Sequence, residues 1–112
     1  MTIQQLCEEY DLIGKTLNKK FPIDDHHKRV FARTMKIVEE LGELSDEILT
    51  SMNLQRTSKI KKFLHSNLQD EFADVFASLV LLANELEINV EEVMKKKIAF
   101  TKQRFLENSD EG

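Results

Sequence analysis

Apolar residues recur every three or four positions along most of the chain, which is the spacing of an amphipathic helix. The first helical segment runs from a cap at Thr2 to about Lys19. The second runs from a cap at Asp24 or Asp25 to about Ser51. Its apolar stripe is expected to face the interior and comprises Val30, Thr34, Ile37, Leu41, Leu44 and Ile48.

Two further helical segments follow in the second half of the chain. The third spans about 67–87, after a cap at Ser66 or Asn67, and the fourth spans about 89–106 and opens with a capping-box pattern. A short helical piece at 59–64 is expected before the third segment. Four helices with short connections predict a four-helix-bundle-like fold.

The composition supports an all-α fold with one domain covering residues 1–112. The chain has three glycines and one proline, whereas β-sandwiches and barrels need many turns, which those residues usually build. Its length is that of one ordinary domain. The third helix is apolar on almost all sides, and so short a chain has few helices to cover it. We therefore expect a homo-oligomer with helices packing across subunits.

Charge and hydropathy argue against several classes of partner. The net charge is −4, so there is no basic excess to bind a nucleic acid backbone. The single cysteine excludes an intramolecular disulfide and a cysteine-based zinc site. The sequence shows no secretory signal pattern, and its richest apolar stretch is too short to span a bilayer. We expect a cytoplasmic protein without a membrane or nucleic acid partner.

Two acidic pairs are the most informative polar feature. Glu40 and Glu43 lie in the second helix, and Glu71 and Asp74 lie in the third. A three-residue spacing places both members of a pair on one face, where like charges repel unless a cation lies between them. Carboxylate oxygens on two facing helices suit Mg²⁺ or Mn²⁺. We therefore expect these four residues to form a metal site.

A solvated acidic face is the alternative interpretation of these carboxylates. It is favoured for Glu39, Asp46 and Glu47 when they are considered alone. It is weak for Asp74, which lies in the most apolar part of the chain, because an unpaired carboxylate is costly to desolvate there.

Three polar residues interrupt the fourth helix. Lys97, Thr101 and Arg104 fall within the stripe that should face inward. The apolar members of that stripe are Val90, Val93, Met94, Ile98 and Phe105. Buried cations need anionic partners, which would be the carboxylates or the phosphates of a substrate. The alternative is that their stems are buried and their charged ends reach solvent.

Taken together, these motifs resemble the MazG-type family of all-α nucleoside triphosphate pyrophosphohydrolases. The family pattern is E-E-x-x-E, a spacer, and then E-x-x-D. Here it is Glu39-Glu40-Leu41-Gly42-Glu43, a spacer of 27 residues, and Glu71-Phe72-Ala73-Asp74. The resemblance covers about Phe31 to Phe105.

The resemblance implies Mg²⁺-dependent hydrolysis between the α- and β-phosphates, which gives a nucleoside monophosphate and pyrophosphate and serves nucleotide-pool house-cleaning. It implies metal ligands at Glu40, Glu43, Glu71 and Asp74. Glu39 would accept a proton from water. Lys97 and Arg104 match the ends of a phosphate-binding series in which Thr101 stands where asparagine is common.

The sequence leaves several functional alternatives open. One is a narrow dUTP or dCTP pyrophosphatase or a phosphoribosyl-ATP pyrophosphohydrolase, and another is a non-catalytic helical binding or regulatory module. The resemblance implies a homodimer or a homotetramer. The base pocket is expected on the first two helices, where Phe21, His27 and Phe31 are candidates because they are aromatic and close in sequence.

Overall fold

A computed structural model describes residues 1–107, and within this range every regular element is helical. The elements are α1 (Ile3–Lys20), α2 (His26–Ser51), α3 (Thr57–Lys61), α4 (His65–Glu85) and α5 (Val90–Lys102), followed by a π-helical turn (Gln103–Glu107). The expectation of an all-α fold is confirmed. None of the helices described combines the length and apolar character that crossing a membrane requires.

Three of the helix starts agree with their sequence signals. The hydroxyl of Thr2 accepts the backbone N–H of Gln5, whose side chain in turn accepts the N–H of Thr2. Asp25 and Asn89 each accept the backbone N–H three residues later, at the starts of α2 and α5. These bonds satisfy N–H groups that a helix leaves without partners at its first turn.

The predicted start of the third long helix is wrong by two residues. α4 begins at His65, and Leu64 precedes it without a side-chain capping bond. The backbone N–H of Asn67 already donates to the carbonyl oxygen of Leu64, so Asn67 lies within the first turn and does not cap it. The side-chain signal was misleading because this helix begins without a polar cap.

The short helix between the two long ones lies at Thr57–Lys61, earlier than the expected 59–64. Lys59 of this helix places its ammonium 2.7 Å from the carboxylate of Asp46 on α2. Gln55 donates to the other oxygen of the same carboxylate. Asp46 therefore holds residues 55–59 of the segment between α2 and α4 against α2, and it does not belong to the candidate metal site.

The centre of the fold is the antiparallel packing of α2 against α4. Arg29 lies beside Glu85 at one end of this pair, and Glu43 lies beside Glu71 towards the other. α1 packs against α4 and also contacts α5. Glycine at position 14 permits close approach of α1, since a Cβ there would lie 3.3 Å from the Leu81 side chain.

The inward face of α2 is rotated relative to the predicted stripe. Thr34, Leu41 and Ile48 of that stripe are exposed, whereas Arg33 is half-buried and Glu40 retains 7% of its exposure. Apolar periodicity misplaced the face because two charged residues lie on the side that meets α1 and α4. A polar inward face on the central helix is typical of a functional site.

A large apolar surface remains exposed on the described chain. Among residues 1–107, Val80 is the only buried apolar residue, with 3% of its surface exposed. The radius of gyration is 18.0 Å, whereas a compact chain of this length has about 13 Å. Such a shape leaves much of the hydrophobic contribution to stability unrealised within one chain.

Helix α5 contributes to this exposed surface. It contacts α1 and the π-helical turn that follows it, so the expectation that its stripe faces the interior of the chain is wrong. Its exposed apolar residues include Val93, Met94 and Ile98, and Phe105 follows in the turn. The amphipathic pattern identified the face correctly but not what covers it.

Candidate metal centre

Three carboxylates from α2 and α4 meet at one point. Glu40, Glu43 and Glu71 each offer an oxygen, and these atoms lie within 4.8 Å of one another. Glu40 is buried, Glu71 is half-buried and Glu43 is exposed, so the group is closed on one side and open on the other. The helix periodicity explains the meeting, because Glu40 and Glu43 occupy one face of α2.

Two oxygens of this group are buried without a hydrogen-bond partner among residues 1–107. They are Oε2 of Glu40 and Oε2 of Glu71. Buried polar atoms in proteins are nearly always paired, and an unpaired carboxylate oxygen is especially costly. A hard divalent cation with oxygen ligands would satisfy both atoms, so the residues present fit such an ion.

The electrostatics of Glu71 reinforce this interpretation. Burial and the neighbouring carboxylates of Glu43, Asp74 and Glu40, in that order, raise the pKa of Glu71. Each of these effects disfavours the charged form of the side chain. A bound cation reverses the effect, because it favours the deprotonated carboxylate.

The fourth predicted ligand is placed differently. The carboxylate of Asp74 is exposed and lies outside the group of three, although it is close enough to raise the pKa of Glu71. Asp74 and Glu40 both line a neighbouring cavity. The structure therefore brings three of the four predicted ligands together and places the fourth beside them.

Lys36 is a member of the site that sequence reasoning missed. Its ammonium lies 3.2 Å from Oε1 of Glu40 and 3.3 Å from Oε1 of Glu39. Hydrogen bonds to Glu40 and then Glu39 raise the pKa of Lys36, which keeps it positively charged. The spacing to Glu40, four residues on a helix, was the available signal. Glu39 itself is exposed and shares the Lys36 ammonium with Glu40.

The predicted phosphate-binding residues lie elsewhere on the described chain. Lys97 and Thr101 are exposed on α5, and Arg104 is exposed in the turn that follows. The Lys97 ammonium lies 5.5 Å from the ring centroid of Phe100, and the Arg104 guanidinium lies 4.9 Å from that of Phe105. Thr101 donates its hydroxyl to the carbonyl of Lys97. Helix α5 packs against α1, whereas the three carboxylates lie where α2 meets α4.

A cavity of about 380 Å³ extends from the carboxylates between α1, α2 and α4. This volume is within the range of small-molecule sites. Its lining comprises Leu17, Asn18, Phe21, Ile23, Arg29, Ala32, Arg33, Lys36, Glu40, Asp74, Ala77, Ser78 and Leu81. Of the three aromatic candidates for a base pocket, Phe21 lines this cavity, whereas His27 and Phe31 do not.

The raised pKa of Glu71 makes thermal stability depend on pH and on Mg²⁺ together. Below its raised pKa the folded protein holds a proton that the unfolded chain releases more readily. The contribution of Glu71 to stability therefore falls as pH rises from the ordinary carboxyl pKa through the raised one. Mg²⁺ competes with that proton, so we expect its stabilising effect to grow over the same window.

Thermal melts with and without MgCl₂ across this window measure the effect. NaCl at matched ionic strength is the control, because it screens the carboxylates without coordinating them. An increase in melting temperature that is specific to MgCl₂ and equal at both ends of the window would contradict the expectation.

Comparison with known proteins gives one match. The family model of the MazG nucleotide pyrophosphohydrolase domain matches residues 28–105. The matched range contains both acidic pairs, the connecting segment and α5. Searches of curated proteins and of solved structures found no significant match.

Proposed function

The chain belongs to the MazG nucleotide pyrophosphohydrolase family, and from this premise we propose that it hydrolyses nucleoside triphosphates between the α- and β-phosphates. The products are a nucleoside monophosphate and pyrophosphate. The observation that carries the proposal is the pair of buried carboxylate oxygens, on Glu40 and Glu71, that have no hydrogen-bond partner among residues 1–107. Burying both oxygens would destabilise the fold unless a ligand binds at this point.

Glu40, Glu43 and Glu71 would hold Mg²⁺, or Mn²⁺ with the same preference for oxygen ligands, and Asp74 would add its carboxylate from the adjacent position on α4. When bound, the cation offsets negative charge on the phosphates and on the departing pyrophosphate. The chain thus supplies anionic ligands on one side of the site and the charged Lys36 beside them.

Lys36 and Glu39 have separate roles in this proposal. Lys36 faces the cavity, where its ammonium attracts a phosphate oxygen once the substrate displaces its contact with Glu40. Glu39 is exposed at the edge of the three-carboxylate group, so its carboxylate remains accessible to water. It would orient the attacking water and accept its proton.

We also propose that the active form is a homodimer or a homotetramer. The exposed apolar surface and the extended shape support it, since a second copy would cover residues that one chain leaves in water. Lys97 lies on α5 and Arg104 in the turn that follows it, and α5 packs against α1. A second copy would give both cations access to an acidic centre, where they would bind phosphate with Thr101.

A substrate panel tests the proposed chemistry. Purified protein, with and without Mg²⁺, is given standard and modified ribo- and deoxynucleoside triphosphates and phosphoribosyl-ATP, and monophosphate and pyrophosphate are both quantified. Equal release of the two products that requires Mg²⁺ would support the proposal. Activity on dUTP, dCTP or phosphoribosyl-ATP alone would narrow the proposed substrate range to that compound. Silence across the panel from a folded protein that binds Mg²⁺ would overturn it in favour of a binding module.

A further inference from the structure

The cavity beside the candidate metal centre has two chemically different ends. Glu40 and Asp74 line the end at the carboxylates. Apolar side chains of α1 and α4 line the rest of it together with Arg33, whose Nη2 atom lies against Asn18 of α1. Phe21 lines the cavity with 71% of its surface exposed, so its ring face is free to stack on a planar ligand.

A chain of hydrogen bonds fixes the polar groups at the apolar end. Nη2 of Arg33 donates to Oδ1 of Asn18 at 3.3 Å, and Nδ2 of Asn18 donates to Glu85 at 3.3 Å. Arg29 donates to Glu85 and to the carbonyl of Ile23. These contacts use both ends of the Asn18 amide and two of the five N–H donors of Arg29. Arg33 has no second hydrogen-bond partner among residues 1–107, so most of its donors remain available.

The separation of the two ends suits a nucleoside. Arg33 precedes Glu40 by seven residues on α2, which corresponds to about 10 Å along the helix. This is comparable with the distance from the 5′ oxygen of a nucleoside to the far edge of its base. With the phosphates at the carboxylates, the base therefore reaches the apolar end and meets Arg33.

We propose that this cavity binds the nucleoside part of the substrate and that Arg33 selects bases with a carbonyl oxygen over bases with an amino group at the same position. The inference rests on the proposed function and specifies its substrate class. A guanidinium is a donor only, so it pairs with a carbonyl oxygen and opposes an amino group. Asn18 positions the guanidinium through its own bond to Glu85.

ITP and ATP provide the matched test, because inosine has a carbonyl oxygen at C6 and a hydrogen on N1 where adenosine has an amino group at C6 and no hydrogen on N1. We expect the wild type to have kcat/KM at least about tenfold higher for ITP than for ATP. Arg33→Gln should bring the ratio close to one, since an amide both donates and accepts. Arg56→Gln, the same change in the exposed residue before α3, is the control and should leave the ratio unchanged.

Calorimetric binding of IMP and AMP separates this inference from the proposed function, because it needs no turnover. Tighter binding of IMP than of AMP by the wild type, lost in Arg33→Gln, would support the inference. It would do so even if no triphosphate were hydrolysed, and that absence of hydrolysis would reject only the proposed function. Pyrophosphate release without preference for ITP leaves the proposed function standing and rejects the inference. An equal loss for both members of each pair in Arg33→Gln also rejects it, because Arg33 would then not read the base.

Discussion

Replacing Glu71 with glutamine is expected to lower Mg²⁺-dependent pyrophosphate release at least about 100-fold and to raise the melting temperature of the metal-free protein. The activity falls because an amide oxygen is a weaker ligand than a carboxylate for a hard cation. The stability rises because Glu71 is a desolvated carboxyl beside three other acids, with a buried oxygen that lacks a partner. A neutral amide of nearly the same shape removes that repulsion.

The two effects of Glu71→Gln are measured on the same preparation, by a pyrophosphate assay, a Mg²⁺ titration in a calorimeter and thermal melts without metal. Glu9→Gln, which removes an exposed carboxylate on α1, is the matched control and should change none of the three. Unchanged Mg²⁺ affinity in Glu71→Gln would remove this residue from the ligand set. A lower melting temperature without metal would show that its charge stabilises the fold by a contact other than a cation.

The carboxylates could be predicted from sequence because they would destabilise the metal-free protein and bind the cation at the same time. Two acids three residues apart on a helix repel each other, so this spacing in both helices indicates a cation between them. The helix period then fixes the face on which each pair lies. It does not fix the rotation of side chains, and Asp74 accordingly stands beside the group of three and not within it.

Arg33 could not be recognised in the same way. Apolar periodicity placed Thr34 and Leu41 inside, whereas both are exposed and Arg33 is half-buried. The position of Arg33 follows from tertiary packing, since its guanidinium donates to Asn18 of α1 and α1 approaches α4 closely at Gly14. A polar residue for which the local pattern and the packing disagree is a candidate for function.

The helix boundaries show the same division between local and tertiary causes. Starts capped by a side chain, at Thr2, Asp25 and Asn89, were predictable because each capping bond joins residues three apart. The start of α4 was not, since Leu64 offers no side-chain bond. The amphipathic pattern of α5 likewise predicts that one face of this helix packs against another surface. It does not identify that surface, because the residues that form it lie elsewhere in the protein.

If the proposed oligomer forms through α4, Leu79→Glu is expected to yield single chains and to abolish most of the activity. Leu79 lies on α4 with 48% of its surface exposed in one chain, so a charge there would be solvated in a monomer and cost little. At a subunit interface the same charge would be buried without a partner, at a cost of about 3–5 kcal/mol. Association would then weaken more than about 100-fold.

Light scattering coupled to size-exclusion chromatography measures the mass of each species. The wild type should have at least twice the mass of one chain, and Leu79→Glu the mass of one. Gln69→Glu adds the same charge to an exposed polar position of α4 and should leave the mass unchanged. A wild type that is itself a single chain would reject the oligomer, and an unchanged mass for Leu79→Glu would place the interface elsewhere.

The expected loss of activity in Leu79→Glu follows from the proposed sharing of the site between chains. Arg104 lies in the turn after α5, which packs against α1, whereas Glu71 lies where α4 meets α2, so each complete site would draw the two residues from two copies. Mixing inactive Arg104→Ala with inactive Glu71→Gln, under conditions that exchange subunits, should then restore part of the activity, because some sites in the mixed oligomer receive both native residues. A mixture that stays as inactive as its components would show that Arg104 serves the carboxylates of its own chain or does not contact the substrate.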